Sequence, residues 1–550
     1  MDMQQIIECV PNFSEGRDMN IIKQITDVIE AVEGVRLLNV DPGKATNRTV
    51  VTFVGSPKPV VEAAFRAIKK AGELIDMSKH KGEHPRMGAT DVCPLIPIAN
   101  ITMGETVEWA QRLAERVGRE LSLPVYLYEE AQANKNRSNL SVIRAGEYEG
   151  FFKKISELKP DFGPVVFDAK RGAIVIGARD FLVAYNVNLN TTSVRRANAI
   201  AFDVREAGRN VEENGVKVNK PGSLKNVKAM GWFIEEYGVA QISINLTNIN
   251  ITPVHIAFDE VCKKADARGI RVTGSELVGL IPLKAMLDAG KYFLKKQKRS
   301  VGISEKELIR IAVVSMGLDE LAPFKPEEKI IEYMLQDKNE SRLVSMPLND
   351  FADETASESP APGGGSIAAY VGSLGVSLAT MVANLSSHKK GWDDRWEEFS
   401  NWAEKGQQFK DELLRLVDAD TKAFNGIMNA MSLPKGTDEE KAVRKQAMND
   451  ATKVAIEVPF QVMKLSYDSM EVIKAMAEVG NPNSVSDAGV GALCARSAVM
   501  GAFMNVRINA SGYDDKGFVG DVVAKGREIQ SKAMALESEI IGIVNTKIGV

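Results

Sequence analysis

The chain is poor in histidine and cysteine, with four of each among 550 residues. The cysteines, Cys9, Cys93, Cys262 and Cys494, are widely scattered and form no CxxC pair. That excludes a zinc site of the usual spacing and a disulfide framework, and it fits a reducing cytoplasm. Charge of one sign is also missing: 69 basic against 73 acidic residues leave a net charge of -4. Electrostatics therefore give no reason to expect nucleic acid as a partner. No GxGxxG follows a strand-like run and no Gly-Lys-Ser/Thr loop occurs, which argues against nucleotide binding. The nearest approach, Gly489-Val490-Gly491-Ala492-Leu493-Cys494, sits in a helical stretch without an acidic partner at the right spacing. The first eight residues lack a basic stretch followed by an apolar one, so no signal peptide is expected. Residues 367–386 run for twenty positions without a charge. Their Ser, Gly, Thr and Asn dilute the run, so a helix buried in a bundle is expected there rather than a membrane span.

What is present is an ordinary soluble composition, 44% hydrophobic and 26% charged, on a chain long enough for two to four domains. The first 300 or so residues alternate strand-like and helix-like pieces. Residues 36–41 and 49–55 read as strands. Val60, Val61, Ala64, Phe65, Ile68, Ala71 and Ile75 then recur at helical spacing. Residues 92–98 read as a strand whose Pro94 and Pro97 predict an edge position. Residues 105–118 read as a helix and 124–128 as a strand. A second α/β unit begins near 181–188, with helices expected over 193–213 and 253–268 and a strand over 239–248. This rhythm predicts two α/β sandwiches, each a sheet with helices on one face. Residues 329–339 end that region, and 346–362 are polar and turn-rich. Beyond them β-branched runs nearly vanish and long Ala/Met/Lys/Glu patterns predict an all-α bundle. The expected division is 1–180 and 181–330 for the α/β subdomains, 331–346 for a linker and 347–550 for the helical domain.

Two of the four histidines, His80 and His84, stand four residues apart in Ser78-Lys79-His80-Lys81-Gly82-Glu83-His84-Pro85-Arg86-Met87-Gly88. Gly82, Pro85 and Gly88 make this a loop. A metal pair at that spacing usually needs a helix to align both rings, so proton transfer is favoured over a metal and over a plain surface turn. Asp41 and Arg48 flank a hairpin loop at one end of a sheet. A carboxylate there can orient a histidine, and a guanidinium can grip a substrate carboxylate with two prongs; an ordinary salt bridge is the alternative. Ser359-Pro360-Ala361-Pro362-Gly363-Gly364-Gly365-Ser366 leads into a helix whose positive end can hold an anion or polar ring, unless the segment is only a flexible linker. In Val417-Asp418-Ala419-Asp420, the second aspartate lies near the apolar face of a helix. There its pKa can rise into a range useful for proton transfer, the alternative being a core hydrogen bond or a solvated acid.

The opening Glu8-Cys9-Val10-Pro11-Asn12-Phe13-Ser14-Glu15-Gly16, the loop Gly82-Glu83-His84-Pro85-Arg86-Met87-Gly88 and Ala361-Pro362-Gly363-Gly364-Gly365-Ser366 resemble the formimidoyltransferase-cyclodeaminase family, bifunctional folate enzymes of histidine breakdown. Leu280-Ile281-Pro282-Leu283-Lys284-Ala285, Leu321-Ala322-Pro323-Phe324-Lys325-Pro326 and Val417-Asp418-Ala419-Asp420 match as well, in family order and over essentially the whole chain. The resemblance implies that the α/β part moves a formimidoyl group from N-formimidoyl-L-glutamate to tetrahydrofolate. The helical part would then cyclise 5-formimidoyltetrahydrofolate to 5,10-methenyltetrahydrofolate and release ammonia. It implies His84, not His80, as the transferase base and Asp420 as the cyclodeaminase acid/base. The folate-binding stretch would be Gly163-Pro164-Val165-Val166-Phe167-Asp168-Ala169-Lys170-Arg171-Gly172, with Gly363, Gly364, Gly365 and Ser366 contacting substrate in the helical part. Asp41 or a neighbour would fix the histidine tautomer, and Arg48 or Arg86 would hold a glutamate carboxylate. Tetrahydrofolate, free or polyglutamylated, enters as substrate and carrier, and neither reaction calls for a metal. A homo-oligomer built as a ring of dimers is implied, with no membrane partner. Two other readings stand beside this one: a transferase fused to a methenyltetrahydrofolate cyclohydrolase, and a folate-binding scaffold with decayed catalysis.

Overall fold

A computed structural model describes residues 5–43, 47–82, 86–213, 216–235, 237–335 and 342–549. The chain divides into two compact units, Met1–Ala285 with Met316–Gln336, and Met286–Ser315 with Asp337–Val550.

The first unit opens with β1 (Ile6–Cys9), β2 (Asn12–Phe13), α1 (Met19–Glu30), β3 (Val35–Gly43), β4 (Arg48–Gly55) and α2 (Pro57–Leu74). It continues with β5 (Thr90–Ala99), α3 (Met103–Glu120), β6 (Val125–Glu129), α4 (Leu140–Arg144), α5 (Glu147–Glu157) and β7 (Ile174–Ala178). These strands form one seven-stranded sheet in the order β1-β4-β2-β5-β7-β6, with β3 paired on β4. The helices start where local chemistry dictates. Pro57, with its fixed φ, stands in the first turn of α2. Thr102 and Glu105 close a reciprocal capping box at α3. The stripe Val60, Ala64, Ile68 and Ala71 packs onto Ile7, Cys9, Phe53, Cys93, Leu95 and Ile176 of the sheet. Each fully buried Val, Leu, Ile or Phe among them contributes about 1.5–3 kcal/mol. Strand alternation sends Tyr126 and Tyr128 to the opposite face, where Ile143, Phe151 and Ile155 of α4 and α5 cover them.

Against expectation, β5 is an interior strand, flanked by β1, β2 and β7. Proline removes only a donor, and the Pro94 carbonyl still accepts from the Val10 amide at 3.3 Å. Pro97 pairs with Ile7 beside a register shift at Ile6/Ile7, where the ladder is already interrupted.

The second half of this unit contains β8 (Val183–Leu189), α6 (Val194–Val204), the hairpin β9 (Arg209–Glu213) and β10 (Val216–Lys220), β11 (Val227–Ile234), β12 (Val239–Leu246), α7 (Val254–Asp266) and β13 (Val272–Val278). Its sheet is antiparallel in the order β11-β12-β8-β13. The helix expected over 193–213 stops at Val204. Arg205 turns extended, and Gly208 takes a φ of 58°, where a Cβ would collide with the Lys220–Pro221 backbone. Only glycine fits there, and the chain leaves as a strand.

The helices α8 (Leu283–Lys296) and α9 (Glu305–Met316) follow, then two single turns, α10 (Pro326–Lys329) and α11 (Ile331–Met334). Residues 286–315 pack with the helical unit. Val301 N donates to Ser400 Oγ at 3.0 Å, Lys291 Nζ lies 2.6 Å from Glu404, and Asn384 and Gln407 both donate to the Gly302 carbonyl. The spatial division thus differs over these residues from a sequence boundary near 330.

The helical unit proper comprises α12 (Leu348–Thr355), α13 (Gly364–Ser387), α14 (Trp396–Ser432), α15 (Asp438–Val479), α16 (Val485–Ala510) and α17 (Lys516–Ile548). The uncharged run is α13, packed against α14, α15 and α16. Small residues make this closeness possible: a Cβ at Gly375 would reach the Gly491 carbonyl at 2.8 Å, and one at Gly372 would meet Ser466 Oγ at 2.5 Å. The segments 364–387 and 482–510 are long and apolar enough to cross a membrane by length and composition, yet their apolar windows are 61% and 50% buried within the bundle.

One buried charge makes the fold pH-sensitive. Glu8 is 4% exposed on β1, and burial pushes its carboxyl up to about 7 against the opposing pull of Arg179. The unfolded chain releases this proton near 4.5. Above that pH the folded state holds more protons than the unfolded one, so stability falls as pH rises toward 7. Glu8→Gln should abolish this loss of up to about 3 kcal/mol. Melting curves at pH 5 and pH 8 check it: a wild-type drop that persists in the variant would assign the effect elsewhere.

Candidate active sites

The first site forms where three segments of the α/β unit meet. His84, with Glu83 and Pro85, lies outside the described residues, but both flanks of its loop are firmly held. On the upstream flank, the half-buried His80 ring donates from Nε2 to the Asn47 carbonyl at 2.9 Å, and Nδ1 accepts from Arg86 Nε at 3.2 Å. With both nitrogens occupied, His80 braces the loop and is free neither to ligate a metal nor to shuttle protons. Burial holds its pKa below the usual imidazole range; the Asn47 carbonyl pulls the other way, and the Arg86 charge adds to the lowering. Asn47 ties in further elements, accepting from the Gly16 amide and donating to the Lys81 carbonyl, each at 3.0 Å.

On the downstream flank, Arg86 is 6% exposed. Its guanidinium forms a two-pronged contact with Glu149 at 2.6 and 2.9 Å, and a third bond reaches Glu147 at 3.2 Å. Burial works against this charge, and Glu149 and Glu147 together outweigh it, holding the pKa above the ordinary guanidinium value. The expectation that Arg86 holds a substrate carboxylate therefore meets an arginine already committed to two carboxylates of its own chain. Glu147 follows Gly146 in a left-handed pair, with φ of 51° and 89°. Such conformations cost a non-glycine residue about 1–3 kcal/mol and persist where function or packing demands them. Lys81, Gly82, Arg86, Gly146, Glu147 and Glu149 line a cavity of ≈ 490 Å³.

The stretch 163–172 joins the histidine loop directly. Gly88 bridges Gly172, the Ala89 amide donates to the Arg171 carbonyl at 2.8 Å, and the Ala173 amide donates to the Met87 carbonyl at 3.1 Å. A Cβ at Gly88 would collide with the Ala173 and Arg171 carbonyls, and one at Gly172 with the Met87 carbonyl. Asp168 turns the loop by accepting from the Lys170 and Arg171 amides and from Arg171 Nε. Tyr148 donates to the Ala169 carbonyl and packs on Phe167 with centroids 5.5 Å apart. Val165 and Val166 stay exposed, while Gly163, at a φ of 82°, is pressed against Leu123 with Pro164 following it. Asp41 lies exposed on β3 across from Val50. Arg48 stands 3.8 Å from Asp91, a fully buried carboxylate that accepts from the Met87 amide. Asp91, Asn47, Arg144, Glu147 and Glu149 escaped the sequence reading. They are scattered through the chain in no motif, and only Glu147 and Glu149, clustered beside Gly146, left any local signal.

The second site lies in the helical unit, where Asp420 of α14 sits beneath the first turn of α13. Ser366 Oγ donates to the Val417 carbonyl at 2.9 Å and lies 3.1 Å from Asp420 Oδ2, and the Ser366 amide also donates to that carboxylate. Thr421 Oγ1 is 3.4 Å from the same hydroxyl. A Cβ at Gly365 would collide with the Asp420 carboxylate, so glycine is what lets the acid approach the helix terminus. Gly363 caps α13 without a side-chain bond, and Gly364 faces Asn505 of α16. Burial raises the Asp420 pKa, and the two Ser366 bonds only partly oppose it.

A multidomain protein with a cluster of buried polar groups on each unit, one of them an aspartate whose pKa burial raises, is what this fold defines. Comparison with known proteins makes the assignment specific. Family models for the formiminotransferase domain match residues 6–179 (N-terminal subdomain) and 184–336, and the formiminotransferase-cyclodeaminase model matches 347–528. The chain is 46% identical to formimidoyltransferase-cyclodeaminase of Gallus gallus, over 94% of each chain. It is 44% identical to glutamate formimidoyltransferase of Thermoplasma acidophilum, covering 53% of this chain and 92% of that one. A methenyltetrahydrofolate cyclohydrolase of Methylorubrum extorquens is 35% identical, over 36% of this chain and 97% of its own length. The chain belongs to the formimidoyltransferase-cyclodeaminase family, with two α/β domains followed by a mostly helical one.

Gly365→Ala should separate the two activities. The added methyl displaces Asp420 or the first turn of α13, so cyclisation falls tenfold or more while formimidoyl transfer stays within twofold of wild type. Rates of the two half-reactions, each supplied with its own substrate, decide it; unimpaired cyclisation would refute the close approach.

Proposed function

We propose that the two sites divide the reactions of histidine breakdown associated with this family. In the α/β unit, tetrahydrofolate N5 attacks the formimidoyl carbon of N-formimidoyl-L-glutamate. The attacking amine sheds a proton as the new bond forms, and the departing glutamate nitrogen takes one up. A neutral imidazole performs both transfers, typically worth 10²–10⁴-fold in rate. His84 is the residue assigned this role, on its motif alone. The exposed Val165 and Val166 offer apolar surface for the folate ring beside the same loop.

In the helical unit, N10 of 5-formimidoyltetrahydrofolate attacks the same carbon, closing the five-membered ring of 5,10-methenyltetrahydrofolate, and nitrogen leaves as ammonia. The leaving nitrogen needs a proton and N10 must shed one, and Asp420 supplies the first and is reprotonated by the second. The observation that carries this reading is the Asp420 carboxyl itself: raised by burial, aligned by Ser366 and set at the open end of α13. Tetrahydrofolate acts as substrate and carrier. The backbone at Gly363 and Gly364 would contact the pterin or its charged substituents.

A homo-oligomer is part of the proposal. Leu374, Met381 and Leu385 of α13 and Leu493, Met504 and Ile508 of α16 are large apolar side chains left exposed, as subunit contacts would require. Free thiols, including Cys9 and Cys93 with sulfurs 3.5 Å apart in the core, support a cytoplasmic location.

The test is a coupled assay supplying formimidoylglutamate and tetrahydrofolate, with methenyl absorbance and ammonia followed together. His84→Ala should lower transfer 10²–10⁴-fold yet cyclise added 5-formimidoyltetrahydrofolate. Asp420→Asn should transfer normally and accumulate that intermediate. Full transfer by the first variant, or normal cyclisation by the second, would remove that residue from the mechanism. Methenyl hydrolysis without ammonia release would favour the cyclohydrolase reading of the helical unit.

A further inference from the structure

The donor of the proposed transfer reaction carries charges of both signs. Its glutamate part bears two carboxylates, and its formimidoyl end is an amidine, protonated at neutral pH. A site for it needs accessible charges of both signs that the protein has not already paired with each other. The cavity of ≈ 490 Å³ beside the histidine loop is lined by two basic and two acidic side chains, Lys81, Arg86, Glu147 and Glu149. Arg86 is fully committed. Its Nε donates to His80 Nδ1, its Nη1 to Glu147 and Glu149, and its Nη2 to Glu149 and the His80 carbonyl. Glu149 takes the two-pronged contact, so these two charges cancel as a pair.

One charge of each sign is left. Glu147 receives a single bond, at 3.2 Å through Oε2, and Oε1 has no hydrogen-bond partner among the described residues. Its side chain is 42% exposed, so a ligand can reach that oxygen. Lys81 is exposed and makes no ion pair among the described residues. Backbone contacts fix where both residues stand. The Lys81 carbonyl accepts from Asn47 Nδ2 at 3.0 Å, and the Tyr148 amide donates to the Arg86 carbonyl at 2.8 Å. Tyr148 also packs on Phe167, so the turn carrying Glu147 touches both the histidine loop and the 163–172 stretch.

We infer that this cavity binds the formimidoyl donor, with Lys81 on a carboxylate and Glu147 on the terminal nitrogen of the amidinium, and that the two residues set donor specificity. This rests on the transferase reading above. Neither residue moves a proton; each positions the donor. The nitrogen held by Glu147 stays with the transferred group, which leaves the departing glutamate nitrogen to the general acid.

The experiment uses the full chain with Lys81→Gln, Lys81→Arg and Glu147→Gln. Lys81→Gln and Glu147→Gln should each raise the donor KM about ten- to a hundredfold, with the tetrahydrofolate KM and the melting temperature near wild type. Lys81→Arg keeps the charge and should recover part of the loss. Two kinds of probe separate the contacts. N-formyl-L-glutamate replaces the amidinium by a neutral formyl group, while N-formimidoyl-L-glutamine and N-formimidoyl-L-isoglutamine each lack one carboxylate. Wild type should bind the formyl probe, and at least one of the other two, more weakly than the donor. Glu147→Gln should narrow the first gap only, and Lys81→Gln the second only. A donor KM within twofold of wild type in either variant overturns the inference. So does a rise that leaves both gaps unchanged, which would make these residues mere braces of the loop. In either case transfer from formimidoylglutamate by the wild-type chain leaves the transferase reading standing, while its absence would sink that reading separately.

Discussion

Both centres depend on backbone approaching closer than any side chain permits. In the α/β unit, Gly88 and Gly172 let the loop after Arg86 lie directly on the strand entering β7. That contact brings the Met87 amide to Asp91, which in turn receives Arg144. In the helical unit, Gly365 lets the Asp420 carboxylate reach the first turn of α13, where the Ser366 amide and hydroxyl align it. A Cβ at any of these glycines would separate a polar group from its partners. The sites therefore rest first on missing side chains and only then on reactive ones.

Charge compensation sorts the remaining residues into scaffolding and chemistry. Arg86 is buried but matched by Glu147 and Glu149, so it has little left to offer a substrate and much to give the loop. His80 is likewise satisfied on both ring nitrogens. Asp420 is the opposite case, with burial favouring its neutral form against the two Ser366 hydrogen bonds. Fully paired groups hold geometry; incompletely paired ones are left to meet a ligand or a proton.

Much of the architecture was legible because periodicity is local. The stripe from Val60 to Ala71 and the uncharged run inside α13 each carry their fold assignment in adjacent residues. Pro94 and Pro97 misled because proline's missing amide matters only on the side where a neighbour needs a donor, which the sequence does not display. The helix expected over 193–213 ends at Val204, ahead of Gly208, whose left-handed backbone lies against Lys220 and Pro221. Motifs marked the histidine loop, the 163–172 stretch and the Gly-rich turn as special. Asp91, Arg144 and Asn47 carried no such mark, because each acts through partners dozens of residues away.

The helical unit also shows why fold and acid alone do not choose a reaction. A carboxyl whose pKa burial raises can hand a proton to a departing amine or to another leaving group at the same carbon. The similarity of this region to a methenyltetrahydrofolate cyclohydrolase is consistent with one scaffold serving either chemistry. Selection then falls to the substrate presented to Asp420. A carbon bearing a formimidoyl nitrogen can lose ammonia, and only an upstream transfer step makes such a substrate. The α/β unit, matched over its length to formiminotransferase domains, is the part of this chain suited to that step. In the proposed reading, the outcome at Asp420 is therefore set by chemistry begun at the histidine loop.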